Sequence, residues 1–273
     1  MPARERVIAV DWSGALRGAE RRIWLAEHGE RGLVRLEAGR SRAQLTRHLI
    51  ECAETTPGLL VGLDFAFGFP RWFAESRGHA DGRALWAEAA VEGERWLRDC
   101  LPPFWGRPGA RQPPPDPARP SWRRTETEEP AVRGIRPKSV FQIGGAGSVG
   151  TGSLRGMPHL DELRRAGFAI WPFDAPGSGP VAMEIYPRQF TGPLAKSDGL
   201  QRALHLATRW RELAAPMREA AESSEDAFDA ALSARGLYAA RAQFPPPPWS
   251  EPAWERMEGR IFSPRLDPFL RHA

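Results

Sequence analysis

The chain is poor in cysteine and lysine and has no long hydrophobic run. Of its 273 residues two are cysteines, Cys52 and Cys100, and their separation fits neither a metal-binding nor a redox spacing. Two isolated thiols suggest a reducing compartment. No apolar stretch approaches the ~20 residues that a membrane helix needs. Met1 to Arg6 is charged, and no signal-peptide apolar region follows it. The expectation is a cytoplasmic protein with no membrane partner. No internal repeat is visible, which argues against a solenoid. The six histidines are scattered without ligand spacing, so each, His159 included, reads as structural.

What is present suits a globular chain. At 41% hydrophobic residues it can bury a core, and its length suits one large domain or a core with a sizeable insertion. Only Lys138 and Lys196 are lysines, so the 38 basic side chains are nearly all arginine. Between Leu101 and Val140 stand Arg107, Arg111, Arg119, Arg123, Arg124, Arg133, Arg136 and Lys138, against Asp116, Glu126, Glu128 and Glu129. Eight against four leaves the whole-chain net charge of +4 in this one segment. Such a segment either attracts phosphate or is a solvated loop. Trp105 and Trp122 in it are available for base stacking or for packing onto the core.

The pattern predicts an α/β fold. Val7 to Asp11 is an apolar run ending in an acid, as in a strand buried on both faces. Arg22 to Ala26 and Leu33 to Leu36 read as two more strands. Ser41 is a plausible cap for a helix to Glu54, and Leu59 to Asp64 is a second apolar run ending in an acid. Helices are expected over Gly82 to Cys100, Leu160 to Ala166, Gln201 to Ala221, and from Ser223 or Ser224 to Ala240. Further strands are expected over Ala169 to Phe173 and Val181 to Tyr186. Pro102 to Pro137 should lack regular structure, Pro245 to Pro248 should break the chain, and the tail should be mostly loop.

A helical crossover from Ser41 would lay the strand ending at Asp64 parallel to the one ending at Asp11. Both acids would then project at one sheet edge and repel each other unless a cation or a proton intervenes. Mg²⁺ or Mn²⁺ would suit an all-oxygen ligand set. Asp226 and Asp229, three apart on a slim, alanine-rich helix, offer a third acid. Asp226 alternatively serves only the helix N-terminus. Glu184 is the fourth candidate, or a solvent-facing glutamate.

Six motifs in order carry a resemblance: Val10-Asp11-Trp12-Ser13-Gly14, Gly62-Leu63-Asp64-Phe65-Ala66-Phe67-Gly68, Arg124-Thr125-Glu126, Lys138-Ser139-Val140-Phe141-Gln142, Glu184-Ile185-Tyr186-Pro187 and Asp226-Ala227-Phe228-Asp229-Ala230. Together they resemble the bacterial family of predicted RNase H-like nucleases, domain of unknown function 429, over nearly the whole chain. The resemblance implies an RNase H-like five-stranded mixed sheet with flanking helices. It implies one domain over 1–273, with an insertion at about 70–178 between the fourth and fifth strands. It also implies metal-dependent phosphodiester hydrolysis of DNA or RNA by a two-metal carboxylate mechanism, with Asp11, Asp64 and Asp229 at the positions of the fold's acids, Asp226 as an alternative ligand and Glu184 as a further catalytic acid. Ser13, Arg124, Glu126 and Lys138 would then contact substrate.

Three other readings compete. Gly145 to Gly150 matches the dinucleotide fingerprint, but Thr151-Gly152-Ser153 and Gly156-Met157-Pro158 should delay the helix it requires, which favours a loop over the active site. Asp11-Trp12-Ser13-Gly14 also resembles the first phosphate loop of actin-like kinases, which would make the chain an ATP-dependent phosphotransferase, although those proteins normally need two such domains. A non-catalytic nucleic-acid or nucleotide-binding protein would keep the fold without the chemistry.

Overall fold

The computed structural model describes residues 5–145, 147–244 and 253–265. Ala146 of the glycine-rich segment and the Pro245–Pro248 break lie outside them. Three strands open the chain as an antiparallel meander: β1 (Val7–Asp11), β2 (Trp24–Gly29) and β3 (Gly32–Glu37). Helix α1 (Arg42–Thr55) then crosses over, and β4 (Leu60–Leu63) returns parallel to β1. Ser41 caps α1 through a full capping box with Gln44, so the start is set by local chemistry.

The sheet has six strands, the six that the residue pattern marks and not the five that the resemblance implies, in the order β3-β2-β1-β4-β6-β5. Strand β6 (Val181–Glu184) pairs parallel with β4, and the short β5 (Ala169–Trp171) adds parallel to its far edge. The stretch from 70 to 178 is therefore not wholly an insertion, because β5 lies within it. Before β5 come α2 (Arg71–Ser76), α3 (Ala84–Asp99), α4 (Arg124–Glu128) and α5 (Val149–Arg165).

Helix α5 is the largest departure from the sequence reading. It runs 17 residues, from directly after the glycine-rich turn, where only a short helix from Leu160 is expected. Its glycines are contact points and not chain breaks. A Cβ on Gly150 would stand 2.1 Å from the Val140 carbonyl oxygen, and one on Gly156 2.6 Å from the Phe65 ring. The expected helix over 201–221 is two helices, α7 (Gly199–Arg209) and α8 (Ala215–Ser223), with Pro216 in the first turn of the second. They follow the short α6 (Arg188–Thr191) and lead into α9 (Glu225–Ala240).

Strand alternation sorts the layers. Ile8, Val10, Val61, Leu63 and Ala182 pack against Leu45 and Leu49 of α1 and against α3 and α5. Val7, Ala9, Leu60, Val181 and Met183 face the other way, onto Ala230, Ala234 and Leu237 of α9. The outer side of α9 is closed by Leu206, Trp210 and Ala221. Gly62 has no room for a side chain, since a Cβ there would press on Ile185 and Leu237. That glycine lets α9 lie close to the sheet centre.

The tail is more than loop. Helix α10 (Ala253–Glu258) is followed by a parallel bridge from Ile261 to Glu184. The Glu258 carboxylate accepts from the Arg71 and Arg124 backbone N–H groups at 2.8 and 2.7 Å, the first residues of α2 and α4. One side chain thus satisfies two helix N-termini.

Candidate active site

Asp11 ends β1, and Asp64 follows β4 by one residue. The Asp64 N–H donates to the Val10 carbonyl at 3.0 Å, so the two acids stand at the ends of adjacent parallel strands. Alternation puts Asp11 on the face of Val7 and Ala9, and Asp64 on the face of Leu60 and Gly62. That is the α9 side. Asp229 comes from α9 and is 3% exposed. The alanines at 227, 230, 231 and 234, all buried, let the helix approach closely enough for so short a side chain to reach the strand ends.

Crowding shows in the acidities. Burial, then Asp64 and Asp229, push the Asp11 carboxyl well above the carboxylate range. Asp64 is pushed up to about 8, first by burial and then by Asp229, with Lys196 opposing. Asp229 rises to about 6 through burial, again against Lys196. Lys196, on the loop between α6 and α7, donates to Asp229 Oδ2, and its Nζ lies 3.5 Å from Glu225 Oε1. Asp229 Oδ1 is buried with no hydrogen-bond partner among the described residues. Among those residues no three His, Cys, Asp or Glu side chains already form a group able to hold a metal ion.

Asp226 is partly buried and lines a cleft of 350 Å³ with Asp11, Ser13, Arg22, Ser148 and Thr151. Burial, and then neighbouring Glu225, hold its carboxyl above the usual carboxylate range. The cleft wall is firmly built. Arg42 donates to the Ser13 carbonyl at 2.8 Å and the Ala15 carbonyl at 2.6 Å, and Arg155 donates to the Gly14 carbonyl. Gly14 and Gly152 meet so closely that a Cβ on Gly14 would lie 2.5 Å from the Gly152 nitrogen. The turn after β1 is thus locked onto the first turns of α5.

The other candidates lie elsewhere. Glu184 projects to the opposite sheet face from Asp11 and Asp64. Its Oε2 accepts from the Phe67 N–H at 3.0 Å, and both oxygens meet Arg123, at 2.5 and 2.8 Å. It anchors the segment after Asp64, which Ser153 Oγ also holds through the Ala66 N–H. Glu126 is buried against Arg123, its carboxyl raised to about 7 because burial outweighs the guanidinium. Arg124 is exposed, pairs with Glu128 and lies 4.9 Å from the Trp254 ring. Lys138 is exposed, its stem beside Gly147. Trp105 is buried against Phe141 and Trp122. The structure therefore brings together Asp11, Asp64, Asp226 and Asp229, with Ser13 in the cleft. It does not bring Glu184, Arg124, Glu126 or Lys138 into that cluster.

Sequence reasoning missed Lys196, Ser153 and Glu258, and it offered Arg123 as a phosphate contact where the structure buries it against Glu126 and Glu184. Only Lys196 carried a signal, as one of two lysines in an arginine-rich chain. No protein-family model, curated protein or solved structure matches the chain.

Proposed function

We propose that the chain is a metal-dependent phosphodiesterase of RNase H-like architecture acting on a nucleic-acid strand. The observation that carries this reading is the convergence of Asp11 and Asp64, at neighbouring parallel strand ends, with Asp229 on the helix packed over the same face. Three acids forced together against burial call for a cation, and the orphaned Asp229 Oδ1 fits that demand. The donors are all oxygen, which suits Mg²⁺ or Mn²⁺. Asp11, Asp64 and Asp229 would hold the ion, with Asp226 at the mouth of the cleft.

A divalent ion bound there would activate water and offset charge on the phosphate. The protein supplies the rest. Arg42 and Arg155 fix the Ser13–Ala15 backbone beside the acids, which keeps the cleft wall in one geometry. Ser13, Ser148 and Thr151 furnish hydroxyls along the cleft, and Arg22 a positive charge at phosphate reach. Glu184 and Ser153 hold the segment behind Asp64 and so keep its carboxyl aimed.

A second reading, a small phosphodiester as substrate, is favoured by the burial of Arg123 and Trp105, which removes two expected strand contacts. Metal and substrate are tested together. Mn²⁺ should raise the Tm of the wild type, because a ligand held only by the folded state stabilises it, and should leave Asp11→Asn unmoved. Cleavage of single-stranded DNA or RNA should appear with Mn²⁺ and stop with chelator. Hydrolysis of bis(p-nitrophenyl) phosphate alone would select the small substrate. Equal Tm gains in wild type and Asp11→Asn would remove Asp11 from the site.

A further inference from the structure

The acidic centre already contains a positive charge, and that charge is built in. Lys196 is 18% exposed in its side chain and bonded to Asp229 Oδ2, whose side chain is 5% exposed. It is no mobile surface lysine. Buried Arg202 donates to the Lys196 carbonyl at 2.5 Å and to the Glu222 carbonyl at 2.7 Å, tying the lysine's backbone to the end of α8. Arg188 donates to the Leu194 carbonyl at 2.8 Å from the other side. Two guanidiniums thus hold the short loop that carries the ammonium.

The residue type is informative. This chain uses arginine almost everywhere, and Lys196 is one of two lysines among 38 basic residues. An ammonium is a compact point charge, whereas a guanidinium is a broad planar fork. Only the former matches a metal ion in size and in the demand for oxygen partners on several sides. Its surroundings are those of a metal: Asp229 in contact, Glu225 at 3.5 Å, and Asp64 near enough to interact. Lys196 also leaves one Asp229 oxygen, Oδ1, unclaimed.

We propose that Lys196 is the resident cation of this carboxylate centre, standing through Asp229 in the place of one divalent ion, so that the centre takes a single metal in its company. The single-metal clause rests on the phosphodiesterase reading above; the counter-ion role does not. With Lys196 in place, the four aspartates already carry one compensating charge, and one divalent ion then brings the three remaining negative charges down to one. A two-metal centre would require Lys196 to withdraw from Asp229. The lysine also makes the centre's affinity for divalent ions lower than its acids alone would give, because every ion must share Asp229 with an ammonium.

The test uses the full chain and Mn²⁺ itself. Mn²⁺ binding is counted by equilibrium titration in the wild type, Lys196→Met and Lys196→Arg. The wild type should bind one ion per chain. Lys196→Met should bind Mn²⁺ at least tenfold more tightly or take a second ion, and Lys196→Arg should do neither. If the wild type binds Mn²⁺ and Lys196→Met binds it with the same affinity and number, the proposal is overturned. A metal-free arm guards against loss of metal binding for other reasons. Lys196→Met should lower the Tm, and the loss should vanish in an Asp229→Asn background, where the carboxylate that Lys196 contacts is gone. If no variant binds Mn²⁺ but this cancellation is seen, the metal reading falls while the resident-cation role stands. If the Tm loss is the same in both backgrounds, Lys196 serves only its loop and the proposal falls.

Discussion

Arg123 and Arg124 are chemically identical neighbours with opposite fates. Arg123 is 1% exposed and meets Glu126, Glu184 and the Glu258 carbonyl, while Arg124 stands in solvent beside Glu128. Removing the guanidinium at 123 leaves two buried carboxylates uncompensated. Arg123→Ala should therefore cost about 3–5 kcal/mol, and Arg124→Ala within ~0.5 kcal/mol, in urea denaturation of the two variants. Comparable losses would mean that the buried network is not what holds the segment behind Asp64. Nothing in the sequence separates the pair, because charge and spacing are the same and only the tertiary position of α4 decides. Asp11 and Asp64 were legible for the converse reason. Each ends an apolar run, and the run itself specifies a buried strand and the end at which the acid stands.

At the scale of elements, legibility followed local chemistry. Helix α1 announces itself through Ser41 and Gln44, and the two hydrogen bonds of the capping box are made within four residues. Helix α5 could not be read, since its glycines look like chain breaks until the partners that demand them are known. Those partners are a carbonyl and a phenyl ring drawn from other parts of the chain. The same distinction yields a paired prediction. Gly150→Ala would thrust a methyl group at the Val140 carbonyl and should cost about 2–3 kcal/mol. Gly93→Ala in α3 meets its nearest neighbour at 3.5 Å, an ordinary contact. It should gain about 0.5–1 kcal/mol from helix propensity. Midpoints of chemical unfolding decide, and a tolerated Gly150→Ala would show that α5 can shift against the sheet.

Across the whole molecule, the order of strands was foreseeable from one helical crossover, which accounts for β3-β2-β1-β4. The place of β5 beyond β6 and the closing tail were not, because the residue pattern marks a strand at Ala169 to Phe173 without its partner, and one bridge at Ile261 carries little pattern of its own. The tail nonetheless matters to stability. Glu258→Ala removes the acceptor for two helix N-termini and should lower the Tm by roughly 4–8 °C, on an estimated loss of about 2 kcal/mol. An unchanged Tm would mean that water replaces the carboxylate at both ends.

The acids of the centre are also widely spaced along the chain, at 11, 64 and 229, with Lys196 between the last two. A ribosome delivers them in that order. During most of synthesis Asp11 and Asp64 can be adjacent while the helix bearing Asp229 is still unmade, and the lysine emerges before the acid it pairs with. The nascent chain therefore holds an unfinished pair of carboxylates until α9 appears. Closure by so distant a segment carries the slow kinetics of long-range contacts, and it confines any activity of the centre to chains in which α9 has been made.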